Sequence, residues 1–515
     1  MKDPSQPVEL RAHAERGLTH IANSVDRGRE CRPYFRFNLT NRPVWAQHEG
    51  ADTPHTVGRF LHALNVCADI AGVPDDAELS RGLRKQLLDS LGHGDKFGWA
   101  DMGYEPSPPL AGMHDQREVL LGLIAIWELS ADSRARRCAG DLVRAMDKAT
   151  RATGTYPAGA LGPNGWQDAN SGTSTSQRAI AALLAYSRTF DDPLGVDLAL
   201  RFGQHALSIS FGPGGELTRA CGTHIHSITG TVASLVELGL VAAENAFIER
   251  ARLIFDSGLL PYRTRTGWVK ESATTRRGRG EANCTSDLIE AACLLGEAGY
   301  PSYFQDADRM LRNHLLASQM DDLSWVQENE GMTNTQTRAY DGLRHRVHGA
   351  FCFAEPNGFH SYNSDLTGAA LQGIAAAWRH IITTEAAGTV RINFLLSREH
   401  EALRLTSKLP QEGTVIVEPE RPIARLLVLV PCWCEQASIA ATVNGKPMPT
   451  VFLDDDLLVE HLDRGSRLEI HFEQPRFTTI ERAMGYETPY RIQWIGNTVT
   501  AMSGGGERTA LYPPL

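Results

Sequence analysis

The chain lacks most features that would settle its class at a glance. Its 515 residues carry no long run of one charge, and 51 basic against 61 acidic residues give a net charge of −10 at pH 7. That leaves no basic footprint for a nucleic acid. No stretch approaches 18 uninterrupted apolar residues, so no membrane span is expected. The opening Met1-Lys2-Asp3-Pro4-Ser5-Gln6-Pro7 has no apolar core of a signal peptide, and the expected compartment is the cytoplasm. Nine cysteines, scattered and odd in number, make no secreted disulfide framework. A Walker-type phosphate loop, His-Glu-x-x-His, Gly-x-Ser-x-Gly and zinc-finger spacing are all missing. With 42% hydrophobic residues, what remains is a folded chain of about three domains or fewer.

The first thing present is a helical repeat. Val57–Ile70, Glu118–Leu129, Gln177–Tyr186, Ser227–Leu240, Ser286–Leu295 and Leu366–Trp378 are apolar over most of their circumference, the pattern of buried helices. The markers Gly58, Arg117, Ser176, Ile228, Ser286 and Asp365 are spaced by 59, 59, 52, 58 and 79 residues. Amphipathic helices alternate with them: Val8–Val25, Leu79–Leu91, Ser133–Ala149, Gly195–Ser208, Ala246–Ser257 and Tyr303–Ser318. Six buried helices paired with six half-exposed ones predict an (α/α)6 barrel.

After Ala387 the period changes to short β-branched runs, from Val390–Phe394 to Tyr490–Trp494, punctuated by Glu412-Gly413, Asn444-Gly445 and Asp463-Arg464-Gly465. This predicts a C-terminal β-sandwich, giving a mainly α chain with a barrel over residues 1–386 and a sandwich over 387–515. Cys432 and Cys434 read as packing residues in a sandwich strand.

Polar residues that a helical core does not need gather just before each buried helix. Asp52 and His55 precede the first, His114 and Asp115 the second, and Trp166 and Asp168 the third. His224 and His226 precede the fourth, Glu281, Asn283 and Cys284 the fifth, and Cys352, Glu355, Asn357 and His360 the sixth. Parallel inner helices would bring all of these to one mouth, where free N–H groups and positive dipole ends suit hydroxyl-rich or anionic ligands. His55, His114, Trp166, Asp168, His224, His226, Asn357 and His360 are the substrate-binding candidates. Trp45, Trp99, Trp166, Trp268 and Trp325 fall in loops, where indole rings can stack on sugars. Each of these residues also has a structural reading, as a helix cap, a satisfied histidine or a rim plug.

A barrel followed by a sandwich resembles glycoside hydrolase family 127, the β-L-arabinofuranosidase-like group. Three stretches carry the resemblance. Glu281-Ala282-Asn283-Cys284-Thr285-Ser286-Asp287-Leu288-Ile289-Glu290, with Asp306–Leu316 after it, is similar to the family's Glu-x-Cys helix and its outer partner. Phe351-Cys352-Phe353-Ala354-Glu355-Pro356-Asn357-Gly358 is similar to its Cys-Cys segment. Leu426–Pro431, Val443–Lys446, Leu462–Ser466 and Tyr490–Trp494 resemble its sandwich strands.

The resemblance implies retaining glycoside hydrolysis by a cysteine thiolate held on zinc by a Glu and three Cys, with a separate Glu as acid/base. Carried over, Glu271 is the acid/base candidate, Cys352 the nucleophile, and Glu281, Cys284 and Cys352 the metal ligands. The sequence departs from the family at these positions. Glu281 and Cys284 stand one residue further apart than Glu-x-Cys, and Phe353 follows Cys352 where the pair would need a second cysteine. Without zinc, carboxylates such as Glu271, Glu281 and Glu355 are the catalytic alternatives.

The expected function is therefore an exo-acting glycoside hydrolase on a small oligosaccharide or glycoside. The alternatives are a polysaccharide lyase, uronyl hydrolase or epimerase using His224, His226 and the arginines of Arg276-Arg277-Gly278-Arg279, or a degenerate carbohydrate-binding protein. A carbohydrate is the expected partner, with no nucleic acid and no membrane, and a homodimer is left open.

Overall fold

A computed structural model describes residues 6–91, 94–100, 111–156, 171–274, 278–385, 388–505 and 509–515. The ring of the barrel is made by six inner helices: α2 (Val57–Val66), α4 (Gln116–Ser130), α6 (Ile180–Phe190), α8 (Ile225–Ala242), α10 (Ala282–Glu297) and α12 (Asp365–Ile381). Each packs on the next and α12 returns to α2, so the ring is closed. The outer partners are α1 (Leu10–Asn23), α3 (Ala77–Asp89), α5 (Ser133–Thr150), α7 (Leu194–His205), α9 (Asn245–Leu253) and α11 (Tyr303–Met310). The chain is thus an (α/α)6 barrel followed by a β-sandwich.

The two rings differ as their sequences require. In α8 every residue from Ile225 to Thr229 is buried, whereas α5 buries one stripe through Ala135, Ala139, Leu142, Val143 and Met146. Helix α8 is long and apolar enough to cross a membrane, with a mean hydropathy of 1.5, and 72% of it is buried inside the barrel. Close approach around the ring depends on Gly58, whose added Cβ would meet the Glu118 carbonyl oxygen at 2.3 Å.

A five-stranded sheet covers the rim. Its strands are β1 (Arg36–Asn38), β2 (Trp45–Gln47), β3 (Arg338–Ala339), β4 (Phe353–Glu355) and β5 (Gly358–Asn363), in the order β3-β2-β1-β5-β4. It joins the segment after α1 to the segment before α12, which are more than 300 residues apart in sequence.

The sandwich faces a six-stranded sheet with a five-stranded one. The six are β8 (Arg398–Glu399), β9 (Leu403–Ser407), β10 (Thr414–Pro419), β12 (Ala440–Val443), β13 (Lys446–Met448) and β16 (Leu468–His471). The five are β6 (Ile382–Thr384), β7 (Thr389–Ile392), β11 (Ile423–Leu429), β14 (Val451–Leu453) and β15 (Asp456–Leu462). The expected boundary at 386/387 lies outside the described residues, and β6, before it, already pairs with β7.

Two expectations about this region are corrected. Tyr490–Trp494 belongs to a separate three-stranded sheet of β17 (Arg476–Glu481), β18 (Tyr490–Ile495) and β19 (Thr498–Met502). Cys432 and Cys434 follow β11 in a turn, where Pro431 has ended the strand, with Cys432 exposed and Cys434 buried.

Candidate active site

The N-terminal ends of the inner helices converge on one mouth, because side chains from α2, α4, α8, α10 and α12 touch there. Four histidines from three helix starts form a chain of rings. The centroids of His55 and His114 are 5.7 Å apart, those of His114 and His224 are 5.8 Å apart, and those of His224 and His226 are 5.8 Å apart.

Beneath them lies a buried ionic layer. Arg59, Arg117 and Arg178 reach one oxygen, Glu118 Oε1, at 3.0, 2.9 and 2.6 Å. Burial alone would raise the Glu118 pKa, but the three guanidinium groups outweigh it and hold the carboxyl well below the usual carboxylate range.

This layer fixes the state of two histidines. Arg178 donates to His114 Nε2 at 2.9 Å and Arg59 donates to His226 Nε2 at 2.8 Å. An arginine can only donate, so both Nε2 atoms are acceptors and each ring carries its proton on Nδ1. Those protons go to the Ser174 carbonyl at 3.0 Å and to Asp287 Oδ2 at 2.8 Å. Burial and the neighbouring arginines push both histidines well below their ordinary pKa, so they are neutral. Thr229 also donates to Asp287 Oδ2, at 2.7 Å, and burial raises the Asp287 pKa to about 6.

His55 is the opposite case. Its Nδ1 lies 2.9 Å from Asp115 Oδ1 and its Nε2 lies 3.8 Å from Asp365 Oδ2. Burial disfavours its charge, yet the bonds to the two carboxylates outweigh that and raise its pKa. Asp365, the first residue of α12, gains correspondingly: burial is overcome by the His55 bond and Arg59, and its pKa falls to about 2. Asp365 Oδ1 is buried with no hydrogen-bond partner among the described residues.

Glu281 stands just before α10. Gly280 positions it: an added Cβ there would lie 2.2 Å from Trp268 Nε1, and that indole donates to the Ala354 carbonyl at 2.8 Å. Glu281 Oε1 accepts from Asn283 Nδ2 at 2.8 Å, and Oε2 lies 3.9 Å from His224 Nε2. Burial first, then the charges of Glu271 and Asp365, push its pKa well above the usual carboxylate range. A protonated carboxyl therefore sits among ionised ones, the arrangement that separates a general acid from a base or nucleophile.

Glu271 is held differently. Arg279 donates to both its oxygens, at 2.6 and 3.0 Å, and to Ser361 Oγ at 2.8 Å. The guanidinium also covers the face of Phe353, 3.6 Å from the ring centroid.

Cys352, just before β4, lines a cleft with Met320, Trp325 and Phe359, while the ring of Phe353 lies under the Arg279 guanidinium. The cleft of the candidate nucleophile contains neither Glu271 nor Glu281. Cys284 donates to Glu281 Oε2 at 3.8 Å, and burial followed by the charges of Glu281, Asp287 and Glu271 pushes its thiol pKa well up. Glu281, Cys284 and Cys352 thus do not converge, and zinc does not fit them: two side chains on one helix start remain, with the sulfur protonated.

His55, His114 and Asp115 are the one group among the described residues whose ligand atoms lie within 4.8 Å of one another. They do not fit a cation either. The His114 Nε2 lone pair already accepts from Arg178, and His55 Nδ1 faces Asp115.

The remaining candidates are corrected or relocated. Asn357 is fully buried and all its bonds go to the C-terminal segment: Nδ2 donates to the Met502 and Gly504 carbonyls, and Oδ1 accepts from the Leu511 and Tyr512 amides. It ties the rim to the tail and does not line the mouth. His360 is exposed on β5, with Nδ1 at 2.9 Å from Ser361 Oγ. Glu355 is buried at the end of β4, paired with Gly358 of β5. Trp166 and Asp168, with Arg276 and Arg277, lie outside the described residues.

The other indoles serve the frame. Trp268 is fully buried, Trp99 donates to Asp95, Trp325 packs on Phe359, and Trp45 is covered by Arg338. Sequence reasoning passed over Asp365, Arg59, Glu118 and Arg178, and it named Arg279 only as a partner for a uronate and not as the holder of Glu271. Asp365 had a signal, because it opens the sixth inner helix as Asp115 immediately precedes the second.

No family model matches the sequence, and no curated protein is similar to it in sequence. Solved structures are similar in fold. A glycoside hydrolase family 127 β-L-arabinofuranosidase from Geobacillus stearothermophilus T6 is 14% identical, with a TM-score of 0.59, over 95% of this chain and 80% of that one. Another family 127 β-arabinofuranosidase is 14% identical, with a TM-score of 0.60, over 96% and 84%. An unsaturated glucuronyl hydrolase from Bacillus sp. GL1 is 13% identical, with a TM-score of 0.50, over 71% and 96%. The resemblance of this chain to family 127 thus extends through both the barrel and the sandwich in fold, at an identity that fits strong divergence.

Proposed function

We propose that the protein is a glycoside hydrolase that removes a terminal sugar from a small oligosaccharide or glycoside bound at the barrel mouth. Glu281 is the general acid that protonates the leaving oxygen. Asp365, ionised and held by His55, is the carboxylate that stabilises or attacks the anomeric centre. Glu271, in its two-point bond with Arg279, supplies the second negative charge that keeps Glu281 protonated. His224, whose Nε2 lies 3.9 Å from Glu281 Oε2, offers a contact for a sugar hydroxyl.

The observation that carries this reading is the divergence of two buried carboxyls in one mouth, Glu281 pushed well up and Asp365 down to about 2. The known activity of the arabinofuranosidases of similar fold makes arabinofuranosides the first substrates to try. Aryl glycosides incubated with the full chain should release the aglycone and a reducing sugar, and Glu281→Gln should not release them. A product absorbing in the ultraviolet, as an unsaturated uronide does, would replace this reading with a lyase. Sugar binding without turnover would replace it with a binding protein.

A further inference from the structure

The axis of the barrel is closed halfway by the Glu118 layer, and a second chamber lies behind it. This chamber, about 450 Å³, opens at the C-terminal ends of the inner helices, and all six of them line it. Such a volume falls within the range of small-molecule sites, roughly 300–1,000 Å³. A smaller void beside Arg59 and Glu118 shares His62, Arg117 and Gln372 with the chamber wall.

Its wall is polar. Arg117, Arg188, Arg379 and His380, whose pKa is raised to about 10, stand against Glu128, Glu237 and Glu290, and His380 pairs with Glu297 of the adjoining groove at 3.3 Å. Some of these groups satisfy one another. Arg188 pairs with Glu237 at 3.3 Å, and Gln372 links Arg117 to Glu290 at 3.2 and 2.7 Å. Others have capacity left: neither His62 nor Arg379 has a side-chain hydrogen bond or ion pair among the described residues. Glu237 and Glu290 repel each other, and burial with that repulsion raises the Glu237 pKa to about 7. Past Arg379 and His380 the chamber meets a groove of about 630 Å³, lined by Glu297 and Pro301 and by Thr383 and Arg391 of the sandwich.

Over chamber and groove together, five cationic side chains (Arg117, Arg188, Arg379, Arg391 and His380) face five carboxyls (Glu128, Glu237, Glu290, Glu297 and Glu385), which leaves little net attraction for an ion. They alternate donors and acceptors, and a hydroxyl group can serve both at once. We infer that the rear chamber and its groove form an accessory site for a neutral oligosaccharide, held by hydrogen bonds and separate from the mouth. The contiguous length suits a chain of two or more sugars, with one end in the barrel axis and the other along β6 and β7. This inference does not depend on the reaction at the mouth.

Hydrogen–deuterium exchange on the full chain tests it, with neutral di- and trisaccharides as probes beside glucosamine and glucuronate. Protection of the last turn of α12 and of β6 by the neutral sugars is expected. The double variant R379A/E237A, which touches no group of the mouth, should bind them about tenfold more weakly, as loss of charged hydrogen bonds predicts, with glycosidase activity unchanged. Protection confined to residues 279–287 and 352–365, or no protection, would overturn the inference. So would unchanged affinity in R379A/E237A, or binding of the amine or the acid alone.

Discussion

The guanidinium of Arg279 lies 3.6 Å from the centre of the Phe353 ring while donating to both oxygens of Glu271 at 2.6 and 3.0 Å. One residue away, Cys352 lines a separate cleft with Met320, Trp325 and Phe359. At this point of the chain an aromatic face, and not a thiol, lies beside the Glu271–Arg279 pair.

A reaction carried by the mouth carboxylates needs neither thiol. Cys352→Ser and Cys284→Ser should each keep kcat/KM on an aryl glycoside within about threefold, a change below 1 kcal/mol. Cys352→Ser should lower the melting temperature, because a hydroxyl in that apolar cluster costs about 1–3 kcal/mol when unpaired. Activity assays and calorimetry on the same preparations check both parts.

Glu281 should trade stability for activity. Its raised pKa means the folded state holds a proton that the unfolded chain releases near 4.5, so stability falls as pH rises above that value. Glu281→Gln removes the penalty. The variant should melt at a higher temperature than wild type at pH 7, with a flatter pH dependence of Tm.

Asp365 has the reverse sign. Its folded pKa of about 2 lies below the usual 3.8, so its stabilisation is present above 3.8 and is lost as pH falls toward 2. His55→Asn removes the ring that supports this charge. The acid limb of kcat/KM should then move upward by about one pH unit, and the pH–rate profile reads the shift directly.

How far the sequence led follows from what each residue type can disclose alone. The helix count and the change to strands near residue 387 were legible because burial imposes periods of 3.6 and 2 on the chain. The convergence of His55, His114, His224, His226 and Glu281 was legible because parallel helices share an end. The cleft that Cys352 lines was not, since it is built with Met320, Trp325 and Leu511, which are distant in sequence. Asn357 resembled a sugar ligand, and its role became visible only in its bonds to Met502, Gly504, Leu511 and Tyr512. Arg59 and Arg178 lie inside apolar helices, where a lone charge gives no hint that three of them share Glu118.

Asn357 gives a prediction of its own. Asn357→Ala leaves four hydrogen-bonding groups of the C-terminal segment without their partner, and it should destabilise the protein by about 2–4 kcal/mol. Its kcat per folded molecule should stay near wild type. Chemical unfolding with active-site titration separates the two effects.

The central claim is that Glu281 is the general acid of a carboxylate-driven glycosidase. The most direct test is the dependence of kcat/KM on leaving-group pKa for a series of aryl glycosides, in wild type and in Glu281→Gln. The account predicts that Glu281→Gln loses about 10²–10⁴-fold on poor leaving groups and little on dinitrophenyl glycosides, which need no proton. A flat, wild-type-like response in Glu281→Gln, with activity abolished in Cys352→Ser, would contradict it.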